Sequence, residues 1–140
     1  MQLTQKAKGM VRKFKRTLCI GDNAGNAKEF DGIKNLCAVA QTLSAGANGA
    51  ALTLDMLDQL RDQVKNGADV FMMRPGTWRA VRSLLRAFGG NDATMITLKD
   101  FGSVVAYDGI PVIINEFVPG DEVMGSSSAS CSIYAIRMNE

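Results

Sequence analysis

The stretch GSVVAYDGIPVIINEFVPGDE, Gly102 to Glu122, holds two apolar runs joined at Asp108-Gly109. Asp-Gly between β-rich runs is a strong hairpin signal, because both central residues of a type I′ turn need positive φ. Val104 to Tyr107 is therefore expected to pair with Ile110 to Ile114. Pro111 has no N–H to give to a ladder, so it belongs at a strand start or on an edge, with the missing donor facing away. Both runs are nearly continuous in apolar residues, which predicts burial on two faces. Something else in the chain must cover them.

Two helices upstream are suited to that. In TLDMLDQLRDQVKNG, Thr53 is placed to cap, Asp55 sits in the positive first turn, and Leu54, Leu57, Leu60 and Val64 form one stripe; Asn66-Gly67 supplies the stop. In RPGTWRAVRSLLRAFGG, Thr77 is the expected cap. Trp78, Val81, Leu85 and Phe88 point inward, Arg79, Arg82 and Arg86 outward, and Gly89-Gly90 closes the helix. Between the two, DVFMM reads as a short buried strand. The cover predicts burial of Trp78, Leu57, Leu60, Leu85, Val105 and Ile113. SIYAIRM, Ser132 to Met138, alternates as a final strand, and GSSSASC before it reads as a flexible loop. SAGANGAA, which has little side chain to pack, is a second loop. KEFDGIKNLC leads into a short element of undecided type.

The N-terminal segment LTQKAKGMVRKFKRTLC places Leu3, Ala7, Met10, Phe14 and Leu18 on one face of an amphipathic helix. Gly9 weakens it by about 1 kcal/mol relative to alanine, so it needs a partner surface to persist. Lys6, Lys8, Arg12, Lys13, Lys15 and Arg16 all precede the first acid, while the remainder holds 10 bases and 14 acids. A +6 head therefore sits on a −4 body within a net charge of +2. Clustered cations displace counterions from phosphate, so Lys6, Arg12, Lys13, Lys15 and Arg16 are the candidates for nucleic-acid or subunit contact. No base-reading motif or aromatic interleaving accompanies them. The plainer reading is the solvated face of a helix.

Composition narrows the chemistry further. The chain of 140 residues, 46% hydrophobic, suits one domain with a real core, and it has no histidine. Cys19, Cys37 and Cys131 are odd in number and far apart, which suits reduced thiols in a cytosolic setting. Ligands for zinc or haem are nearly lacking. Asp55, Asp58 and Asp62 fall on one helix face at spacings that would suit a divalent cation, but Arg61 and Lys65 sit among them and favour a solvated face. No glycine-rich segment matches a phosphate-binding loop, and Cys37 or Ser44 has no imidazole beside it to act as base. No catalytic machinery, cofactor site or membrane span is visible, which describes a soluble intracellular protein that is not an enzyme.

Taken in order, the pieces TLCIGD, EFDGI, LTLDMLDQLRDQV, DVFMMRPGTWRAVRSLLRAFG, VVAYDGIPVIINEFVP and SIYAIRM resemble the major capsid proteins of tailed bacteriophages, the family with the Hong Kong 97 type fold. The resemblance implies an α+β fold with a central mixed β-sheet and flanking helices, like the axial domain of that family, preceded by a basic amphipathic spine-like helix. Residues 1–21 would end the spine helix of the peripheral domain, 22–124 would form the axial-type domain, and 125–140 a flexible loop and a strand returning towards a truncated peripheral domain. Such proteins have an N-terminal arm and an extended loop that this sequence lacks, so the chain looks like a fragment or a reduced relative. The implied function is a structural subunit of a phage or prophage capsid, working by self-association around packaged DNA bound without sequence specificity. Its partners would be copies of itself, a scaffold and a portal, in the virion after assembly in the host cytoplasm. The alternatives are a shell protein of a cellular nanocompartment with the same fold, or a small nucleic-acid-binding protein using the basic helix. The chain alone would be a monomer or small oligomer, its self-contacts made by the first helix or the Ser132 to Met138 strand.

Overall fold

The computed structural model describes residues 2–89, 95–98 and 102–138. Asp108 and Gly109 both adopt positive φ, 49° and 78°, and Tyr107 pairs with Ile110 across them. This is the turn that Asp-Gly predicts, and it joins β3 (Gly102–Tyr107) to β4 (Ile110–Ile114). Pro111 is the second residue of β4, opposite Ala106. Pairing on the strand's other side, to β1 (Val70–Met73), starts only at Phe71 with Val112, so the missing N–H falls just outside that ladder.

Four more strands and four helices complete the main body and its edges. The chain runs through α1 (Gln2–Ile20), α2 (Ile33–Leu36), a 3-10 turn at Val39–Gln41, and α3 (Leu54–Gln63); α4 (Pro75–Ala87) follows β1, and β2 (Met95–Leu98) precedes β3. Last come β5 (Glu122–Met124), β6 (Ser127–Ser130) and β7 (Tyr134–Ile136). Five strands form one sheet in the order β2-β3-β4-β1-β7. The β1–β4 pair is parallel and the others antiparallel, so the sheet is mixed and the fold is α+β.

β1 lies beside the middle of this sheet, and every one of its residues is buried. Side chains alternate along a strand, which sends Phe71 and Met73 to one face and Met72 to the other. Phe71 and Met73 join Leu57, Trp78, Val81, Tyr107 and Val112 in a core under α3 and α4. Met72 joins Cys19, Val118 and Tyr134 in a smaller core, with Ile20 and Ile33 packed against it. Helices therefore cover both faces of the sheet only where β1 runs.

That limit corrects several expectations. Leu57 and Trp78 are buried as expected, whereas Leu60, Leu85 and Val105 are only partly buried at the margin of the first core. Ile113 is 39% exposed: it pairs with Met72 and so faces away from α3 and α4, where the second cover reaches β1 and β7 but not β4. The start of β3 and the end of β4 are likewise exposed, so these strands are not buried on both faces. Phe88, expected inward, is 77% exposed because it is the C-cap of α4, with Gly89 turning the chain at a φ of 71°.

The caps divide in the same way. Thr53 caps α3 by accepting from the Met56 N–H at 3.2 Å. Thr77 does not cap α4: the helix begins two residues earlier, with Pro75 in its first turn and Arg74 as N-cap, and Thr77 is buried. A proline at the first position is pre-set for helical φ and loses no ladder bond there. GSSSASC is not a loop throughout, because its serines form β6 and pair with β5. Asn48 secures that hairpin by accepting from the Ser126 N–H at 3.0 Å. The final strand is shorter than its alternation implies, three residues at the sheet edge beside β1. The short element left undecided at KEFDGIKNLC is the four-residue helix α2, with Gly32 as its N-cap.

Candidate subunit-contact surface and basic groove

α1 meets the body only through its last turn. Thr17 and Cys19 are buried there, and Ile20 is partly buried. The helix ends at Gly21, whose N–H donates to the Thr17 carbonyl at 2.8 Å, and Gly21 lies against Gly32, which donates to the Gly21 carbonyl at 2.9 Å. A Cβ on Gly32 would stand 2.6 Å from the Gly21 nitrogen, and one on Gly21 would meet the Phe30 and Thr17 carbonyl oxygens. Two glycines are thus required for the backbones to cross. Asn35 adds a side-chain donor to the same Gly21 carbonyl at 2.8 Å.

Everything before Thr17 projects. Leu3 is 87% exposed, Met10 74% and Phe14 58%. The apolar stripe read from the sequence exists, but this chain's own body covers almost none of it. Phe14 meets the half-exposed Phe30 at a ring separation of 5.9 Å. Leu36, Val39, Val123 and Met138 are further large apolar side chains left in solvent. Scattered exposed apolar residues are ordinary on a monomer, whereas a continuous helical stripe marks a contact surface.

The cationic candidates separate into two groups. Arg12, Lys13 and Arg16 line one open groove with Thr17 and Ile20 of α1, and Arg74, Glu29, Glu116 and Phe117 form its other wall. Lys6 and Lys15 are exposed elsewhere on α1 and do not line it. Arg74 lies over Gly120, where a side chain would collide with its guanidinium. The sequence pattern identified the α1 cations but not Arg74, Glu29 or Glu116, which only the fold brings opposite them. Among the described residues the ion pairs lie elsewhere, at Lys34–Glu122, Arg61–Asp62 and Arg61–Asp108.

The carboxylates of α3 are tied to protein partners. Asp58 accepts from the Tyr107 hydroxyl at 3.1 Å, Asp55 from the Gln59 side chain at 2.6 Å, and Asp62 from Arg61. Among the described residues no group of three or more histidine, cysteine or acidic side chains is arranged to hold a metal ion. Cys19 is buried and its thiol pKa is pushed up by burial; Cys37, also pushed up by burial, and Cys131 are exposed and free. No described helix is long and apolar enough to cross a membrane.

Comparison with known proteins agrees with this architecture. None of the curated proteins matches the chain. Among solved structures, the cryo-EM structure of the holo-SrpI encapsulin complex from Synechococcus elongatus PCC 7942 is similar, with a TM-score of 0.61 at 21% identity. The likeness covers 86% of this chain and 41% of that one, so this chain spans less than half the length of its neighbour. At such identity the match speaks for the fold, which is the Hong Kong 97 type. The model of the phage capsid family matches residues 4–134, from the first turn of α1 into β7, and the chain belongs to that family.

Proposed function

We propose that this chain is a structural shell subunit of a phage or prophage capsid, acting by self-association to enclose packaged DNA without reading its sequence. Membership of the family supports the shell role. The observation that carries self-association is the apolar face of α1, exposed at Leu3, Met10 and Phe14 while the helix end is locked into the body. Full burial of three such side chains contributes roughly 5 to 9 kcal/mol. Association costs about 4 to 15 kcal/mol in lost freedom of motion. One contact of this size is therefore weak, and a closed assembly with several contacts per subunit is what makes it lasting.

In the virion, copies of the chain would meet one another and, in the assembling particle, a scaffold and a portal, with assembly in the host cytoplasm. Lys6, Arg12, Lys13, Lys15 and Arg16 serve as subunit or nonspecific DNA contacts. No catalysis and no cofactor enter this role. A second reading, a nanocompartment shell enclosing protein, is favoured by the encapsulin likeness. Capture of native particles with an antibody to this chain, followed by electron microscopy and analysis of contents, separates the two. Closed shells holding DNA are expected. Shells filled with protein favour the second reading, and recovery of the chain outside any particle contradicts both.

A further inference from the structure

The six cations of α1 stand on a helix that carries no acid, and none of them has an ion-pair partner among the described residues. Two copies meeting α1 to α1 would bring both cationic sets together beside the apolar stripe. Like charges juxtaposed across an interface oppose association, so that symmetric pairing is disfavoured. The rest of the chain has the opposite balance, 10 bases against 14 acids.

Four of those acids share one surface. Asp55 and Asp62 are exposed on α3, Asp58 lies between them, and the β3–β4 turn brings Asp108 to the same helix through Arg61. Tyr107 holds Asp58 in position and Arg61 holds Asp62 and Asp108, three of the four carboxylates. The groove beside α1 has the complementary composition. Arg12, Lys13, Arg16 and Arg74 outnumber Glu29 and Glu116, with Ile20 and Phe117 supplying apolar surface. A phosphodiester backbone, uniformly anionic, would meet those two glutamates as repulsion. A protein surface carrying several acids with Arg61 and Lys65 among them matches both signs.

Resting on the shell-subunit reading, we propose that the basic groove face of α1 in one copy docks on the acidic surface of α3 and the Asp108-Gly109 turn in the next, a head-to-tail contact. A heterologous contact leaves one donor and one acceptor surface free after each addition, so it builds rings or open chains rather than a closed pair. Its charge gives it a salt dependence that a purely apolar contact lacks.

Two charge reversals test the orientation by sedimentation velocity. Arg12→Glu/Arg16→Glu changes exposed, unpaired side chains of α1, and Asp55→Lys/Asp62→Lys changes exposed side chains of α3; circular dichroism checks that each remains folded. The expected result is concentration-dependent association of the unaltered chain, and roughly tenfold weaker association of each variant alone. An equimolar mixture of the two variants then associates more strongly than either variant alone, because the unaltered groove of one meets the unaltered acidic surface of the other and the two reversed surfaces are again opposite in sign. Raising ionic strength from about 0.1 M to about 1 M shortens the screening length from about 10 to about 3 Å and disperses that mixture. Equal association of the unaltered chain and both variants overturns the head-to-tail contact and leaves the shell-subunit reading standing. So does an α1 variant that loses only affinity for double-stranded DNA, which would assign the groove to nucleic acid. An unaltered chain that is monomeric at every concentration overturns both.

Discussion

The Tyr107 hydroxyl donates to the Asp58 carboxylate at 3.1 Å, bonding the last residue of β3 to the middle of α3. Tyr107 is buried, and its ring meets Phe71 edge-on at a centroid separation of 6.1 Å. Burial first, then the bond to Asp58, pushes its pKa up to about 12. Tyr134, buried with no hydrogen-bond partner for its hydroxyl, is pushed to about 12 by burial and by the charge of Glu122.

These shifts give a signed pH dependence. A tyrosine whose folded pKa lies above the unfolded value near 10 stabilises the fold fully below that value. As pH rises from 10 to 12 the unfolded chain loses its protons first, and stability falls. Denaturation midpoints should be flat up to about pH 9 and drop across that window, with tyrosinate absorbance rising together with unfolding. Asp58→Asn should move the Tyr107 titration down, because both the accepted bond and the carboxylate charge are weakened.

Core truncation should rank the α3 leucines by burial. Leu57 is 1% exposed between α3 and the sheet, so Leu57→Ala is expected to cost about 2 to 5 kcal/mol in urea denaturation. Leu60 borders the same core and is partly buried, and Leu60→Ala should cost distinctly less. Equal losses would place Leu60 inside the core.

Crowding at the helix crossing should respond to one methyl group. Gly32→Ala inserts a Cβ 2.6 Å from the Gly21 nitrogen, which forces α1 and α2 apart. The expected cost is about 1 to 3 kcal/mol. Heteronuclear NMR should show shifts concentrated from Thr17 to Asn35, and an unchanged spectrum there would contradict the crossing.

The N-cap of α3 gives a smaller effect. Thr53→Ala removes the acceptor of the Met56 N–H and should cost about 1 kcal/mol. Thr53→Asn, a comparable cap, should keep stability near that of the unaltered chain.

Local chemistry made some of the fold readable in advance. Asp108-Gly109 demands two positive φ values, and Thr53 followed by the leucine stripe is a self-contained start signal; both appear as read. Thr77 misled because Pro75 competes for the same helix start and prevails. Ile113 and Phe88 are apolar at positions whose period points inward, yet cover depends on where neighbouring helices end, which periodicity does not encode. The serines of β6 have poor strand propensity, and their pairing comes from Glu122 to Met124 and from distant Asn48. The α1 cations were legible as a cluster for the same local reason, whereas their grouping with Arg74, Glu29 and Glu116 arises only from tertiary placement.

The exposed α1 stripe as a subunit contact is the claim on which the functional reading rests. Sedimentation equilibrium across a concentration series tests it, comparing the unaltered chain with Leu3→Asp/Met10→Asp, whose two side chains touch little of the folded body. The weight-average mass of the unaltered chain should climb above 15.0 kDa with concentration, while the variant, folded by circular dichroism, stays at the monomer mass. An unaltered chain that remains at 15.0 kDa throughout, or a variant that associates equally well, would contradict the account.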